Sequence, residues 1–161
     1  MASELRTRSV MGAFLVLLAG TGAGCGDFVE SGDGVQRLTV GAEGGTLTIG
    51  DFALVVPAHA LDHTVTLSAH RETMDAPAGP AFTVTSTDHV SFPSIAADVT
   101  LHYDATIHMH PSDVFAATLV SGVWHQLTRP AGDPGTSGVA HGVTMDVGTF
   151  GVIDCPGGVC P

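Results

Sequence analysis

Three cysteines and nine histidines are the residues of this 161-residue chain best suited to chemistry. Cys155 and Cys160 stand at its end in Cys-Pro-Gly-Gly-Val-Cys, where Pro156 and Gly157-Gly158 can turn the backbone sharply enough to bring two sulfurs together. An even pair of thiols at this spacing predicts a disulfide formed in an oxidising compartment. A metal would need more ligands than two thiols, and no histidine stands near them. His108 and His110 are two apart, so in an extended segment they project to one side, with His102, Asp104 and Asp113 close in sequence. Imidazole and carboxylate groups in that arrangement suit zinc or copper. His-Met-His-Pro also reads as a connecting loop with exposed imidazoles, since no third histidine stands at a diagnostic spacing.

The third cysteine, Cys25, follows a stretch of different character. Arg6 and Arg8 precede an apolar run from Val10 to Ala19, too short to span a bilayer permanently, and then come the small residues Gly20-Thr21-Gly22-Ala23-Gly24. Residues 1–24 therefore read as a helical signal peptide. Ala23-Gly24-Cys25 resembles the lipobox of bacterial lipoproteins. That resemblance implies that the Cys25 thiol receives diacylglycerol, with acyl chains of the palmitate kind, and becomes the mature N-terminus. Gly22 stands where a branched aliphatic residue is usual, which keeps ordinary cleavage and a secreted, unlipidated domain open as the alternative. Gly26 rather than Asp follows the cysteine, so the simplest inner-membrane retention signal is missing. The expected location is the cell envelope, lipid-anchored at the outer membrane; the other destinations are periplasmic or secreted.

Without the leader, three arginines face fifteen carboxylates, a net charge of −12, and lysine is absent from the whole chain. Such a surface repels phosphate backbones, so no nucleic-acid partner is expected. The expected partners are the membrane, through the lipid anchor, and an envelope or extracellular protein that the sequence does not name. Protonating all nine histidines would bring the charge to −3, so adhesion that strengthens in acid is a further expectation. There is no Gly-x-Ser-x-Gly, His-Glu-x-x-His, phosphate-cradling glycine loop or calcium loop. No catalytic residue is assigned, and no cofactor is expected beyond the covalent lipid.

Residues 25–36 are glycine-rich and acidic, which suits a tether. From Arg37 short alternating runs begin. Val65, Leu67 and Ala69 share one face against Thr64, Thr66 and Ser68, and Val99, Leu101 and Tyr103 alternate with Thr100, His102 and Asp104. Further strands are expected at 38–40, 46–49, 52–56, 82–85, 90–92, 114–120, 124–127, 139–147 and 150–153, separated mostly by Gly, Pro and Asp. Many short strands at this spacing, with no amphipathic helix among them, predict an all-β fold, an antiparallel β-sandwich or barrel over 37–153. Residues 154–161 form the C-terminal tail.

The order of these runs resembles a ZU5 domain. Gly44-Gly45-Thr46-Leu47, Phe52 to Pro57, Ala60-Leu61 and Thr64 to Leu67 are similar to its opening. Phe92-Pro93, Val99 to Asp104, Gly122-Val-Trp124-His-Gln-Leu127 and Val147 to Ile153 are similar to its later strands. The resemblance implies a β-sandwich used as an interaction or spacer module. Some relatives cut themselves at a His-Phe-Ser tripeptide, and the matching stretch here is Thr149-Phe150-Gly151. Gly151 offers no hydroxyl and Thr149 no imidazole, so self-cleavage is not expected. The leading expectation is a non-catalytic structural or protein-interaction module. An envelope metal-binding protein using His108 and His110 is the other functional class.

Overall fold

A computed structural model describes residues 28–30, 34–92, 95–107, 110–158 and 160. The signal peptide, Cys25 and His108 lie outside the described residues. Eleven strands follow in order among them: β1 Phe28–Glu30, β2 Val35–Val40, β3 Gly45–Ile49, β4 Phe52–Val56, β5 Val65–Arg71, β6 Phe82–Ser86, β7 Ala97–His102, β8 Val114–Val120, β9 Val123–Gln126, β10 Val139–Thr144 and β11 Thr149–Asp154. They form two antiparallel sheets, one in the order β1-β2-β5-β6-β11-β8-β9 and one in the order β10-β7-β4-β3. The fold is the predicted all-β sandwich.

Period-two patterning places the core between the layers. Phe52, Leu54 and Val56 of β4 point inward, as do Val65, Leu67 and Ala69 of β5 and Ala97, Val99 and Leu101 of β7, all buried. Phe52 joins the two sheets: its ring stacks 5.4 Å from Phe82 and 5.8 Å from Phe150, both in the facing layer. Burial of three aromatic rings at one point concentrates much of the apolar transfer energy at the centre of the sandwich.

The even-numbered strands from β2 to β10 finish at one end of the sandwich, here called the upper end. The registers that establish this include Val40 opposite Val65, Val56 opposite Gly45 and Thr144 opposite Ala97. The described residues of the upper loops are 41–44, 57–64, 87–92 with 95–96, 121–122 and 145–148. Ser121 and Gly122 both have positive φ, 52° and 81°, the conformation that lets a two-residue hairpin follow the strand twist.

Several boundaries differ from the expected ones. Phe28–Glu30, expected within the tether, pairs with Gln36–Leu38, and β2 starts at Val35 rather than beyond Arg37. Backbone hydrogen bonding builds these pairs without an alternating sequence, and Gly34 at φ 74° lets the chain turn before β2. Val90–Phe92, expected as a strand, is a loop with one bridge, Ser91 to Asp146. Val90 and Phe92 are buried there because the loop folds over the core, and Phe92 N–H donates to the Met145 carbonyl at 2.6 Å. β10 stops at Thr144, whose hydroxyl donates to the Asp146 carbonyl at 2.7 Å and accepts from the Asp146 N–H at 3.2 Å, which turns the chain.

Candidate functional site

Cys155 and Cys160 are joined in a disulfide with Cα atoms 4.5 Å apart. The turn foreseen at Pro156–Gly158 is a short 3₁₀ segment in which Gly157 takes φ 72°. Asp113 fixes this tail to the sandwich: its carbonyl accepts the Cys155 N–H at 2.8 Å and its carboxylate accepts the Gly157 N–H at 3.2 Å. Cys155 is fully buried with Phe115, Ala117 and Ile153 on the outer face of the seven-stranded sheet, and Trp124 and Cys160 pack against them. That is why β8 buries both of its faces between Val114 and Ala117.

Arg129 closes the same end of the molecule. One guanidinium nitrogen donates to the carbonyls of Pro111, Ser112 and Val114 at 3.1, 3.0 and 2.6 Å, and the guanidinium carbon lies 4.1 Å above the Phe115 ring. The side chain thus ties two carbonyls of a 3₁₀ turn, Pro111–Asp113, to the first carbonyl of β8.

His110, the described member of the histidine pair, is exposed and precedes that 3₁₀ turn without a capping bond from its side chain. His102 is exposed on β7. The neighbouring carboxylates are engaged elsewhere. Asp104 accepts from the Thr106 N–H at 2.9 Å and the Thr106 hydroxyl at 2.6 Å, and Asp113 holds the tail. Among the described residues, no group of three His, Cys, Asp or Glu could hold a metal ion.

A different set of histidines shares a cleft. His59 and His63 from the 57–64 loop and His89 from the 87–96 loop line an upper-end cleft of about 410 Å³ with Leu61, Asp62, Val90 and Ser91. His59 has φ 65°, an uncommon conformation for a side-chain-bearing residue, held by its N–H donating to the Ala42 carbonyl at 2.7 Å. His63 Nδ1 and Asp62 Oδ1 are 2.5 Å apart. The hydrogen bond from His63, followed by its charge, holds the Asp62 carboxyl below the ordinary carboxylate range. The cleft offers imidazoles and a carboxylate for hydrogen bonding. Ser91 lines the same cleft. His59 and His63 are four apart in one loop; the folding of a second loop onto the same end brings His89 to them.

Comparison with protein-family models and with curated proteins finds no match.

Proposed function

We propose that this chain is a lipid-anchored cell-envelope protein whose ZU5-like β-sandwich serves as a structural or protein-interaction module, without catalysis. The observation that carries the reading is the division of labour among the cysteines. Cys155 and Cys160 are spent on a disulfide, which belongs to an oxidising compartment. Cys25 is left as the one other cysteine, directly after a run of small residues that ends an export-like leader. The two-layer core uses the inward side chains for packing, so recognition falls to the outer faces and loops.

Mass spectrometry of the mature N-terminus tests the anchor. The expected result is a chain beginning at Cys25 and carrying diacylglycerol. An unmodified N-terminus near the same position would replace the anchor with a secreted domain. Cross-linking in the native envelope followed by capture tests the module: recovery of a defined protein neighbour supports it, and recovery of the chain alone overturns it.

A further inference from the structure

We infer that the upper end of the sandwich rests on the lipid surface, as a membrane-contact face formed by Ile95, the 121–122 turn with its flanking Val120 and Val123, and the 145–148 loop. This inference depends on the lipidated reading of Cys25. The direction of β1 is the first observation. Phe28 pairs with Leu38 and Glu30 with Gln36, so β1 runs away from the upper end and Phe28 is its residue nearest that end. Three steps separate Cys25 from Phe28, a span of at most about 10 Å for extended chain. An acylated Cys25 therefore keeps Phe28, at the β1 edge of the larger sheet, within that reach of the bilayer, while the β8–β9 hairpin stands at the opposite edge of the same end.

The second observation is what this end exposes. Val120 and Val123 flank the Ser121–Gly122 turn and are 51% and 54% exposed; Met145 is 47% and Ile95 41% exposed, in the two neighbouring loops. These loops are held side by side. Ser91 bridges to Asp146, the Phe92 N–H donates to the Met145 carbonyl, and Leu119 pairs with Thr149 at the root of the hairpin. The sequence from Phe115 to Thr128, which includes the hairpin, contains no Asp, Glu, Lys or Arg in a chain of net charge −11. Met74 and Ile107, also exposed, sit singly in two separate loops at the opposite end, where scattered apolar side chains are ordinary surface. Apolar side chains on an uncharged hairpin, at the end to which the anchor leads, fit shallow insertion between headgroups. Glu43, Asp62, Asp88 and Asp146 lie in the same set of upper loops, so the surface suited to it is zwitterionic rather than anionic.

The two exposed methionines provide the test, because Met145 lies at the upper end and Met74 at the lower. The lipidated full-length product is placed in phosphatidylethanolamine–phosphatidylcholine vesicles, and sulfoxide formation at each methionine is followed by peptide mass spectrometry. The Cys25→Ser protein in solution is the reference. The expected result is oxidation of Met145 slowed on the order of fivefold on vesicles, with Met74 unchanged. Adding Val120→Thr and Val123→Thr, with the circular dichroism spectrum unchanged, should return Met145 toward the solution rate. Acyl mass on Cys25 with no protection of Met145, or with protection of Met74 instead, overturns this inference and leaves the anchor standing. Absence of acyl mass overturns both.

Discussion

The indole of Trp124 lies over the backbone of Gly151, so close that a β-carbon on that glycine would stand 2.9 Å from the indole Cη2 and would also collide with the methyl group of Ala76. Backbone at one strand and rings from its surroundings have packed into the space a side chain would fill. Gly151→Ala is expected to destabilise the domain by about 1–3 kcal/mol through overpacking. Urea unfolding followed by Trp124 fluorescence measures this, and an unchanged midpoint would contradict the contact.

Arg129 gathers three carbonyls and one aromatic face with a single guanidinium. Lysine carries the charge but not the planar fork, so Arg129→Lys should fail to replace it and cost about 1–3 kcal/mol. Equal denaturation midpoints for the two proteins would show that the clasp contributes nothing.

Phe52 is the hinge between the layers, 1% exposed and stacked with two rings of the facing sheet. Phe52→Ala is expected to cost about 3–5 kcal/mol, whereas Phe52→Leu should lose clearly less because it leaves a smaller cavity. Calorimetry of both variants checks the order.

The two half-cystines are unequal in burial, Cys155 being inaccessible and Cys160 partly exposed. Opening a loop of five-residue separation removes about 2 kcal/mol in the chain-entropy account. Cys160→Ser should show about that loss. Cys155→Ser should show more, since it also buries a hydroxyl among Phe115, Ala117 and Ile153. Equal losses would argue against the burial difference.

Asp62 titrates below the ordinary value of 3.8 because His63 hydrogen-bonds to it and carries charge beside it. With the folded pKa below the unfolded one, the contact supports the fold above the ordinary value, and that support is lost as the pH falls through the lowered one. Asp62 is fully exposed, so the readout is its own titration rather than stability. Carboxyl NMR should place the Asp62 midpoint lower in the native protein than in His63→Ala; the reverse order would refute the pairing.

Most strands were legible because one-sided burial writes itself as alternation. Val65, Leu67 and Ala69 of β5 and Val99 and Leu101 of β7 turn inward as their alternation predicts. The pairing order was not legible, since β6 next to β11 and β2 next to β5 are choices among equally alternating partners. Phe28–Glu30 was missed because a paired backbone needs no hydrophobic period, and Val90–Phe92 was misread because a loop crossing the core buries alternate residues too. The disulfide was visible in the turn-forming residues between its cysteines. The cleft of His59, His63 and His89 was not legible, because His89 joins the His59 and His63 loop only through the folding of a second loop at the same end.

β11, the last strand, lies inside the larger sheet, between β6 and β8. The Thr83 hydroxyl meets the Thr149 hydroxyl at 2.7 Å across 66 residues of chain. The larger sheet cannot close until β11 has been synthesised, and pairings so distant in sequence form slowly. Until then β6 and β8 lack the strand that joins them, and the stack of Phe52, Phe82 and Phe150 at the centre of the sandwich is missing one of its rings.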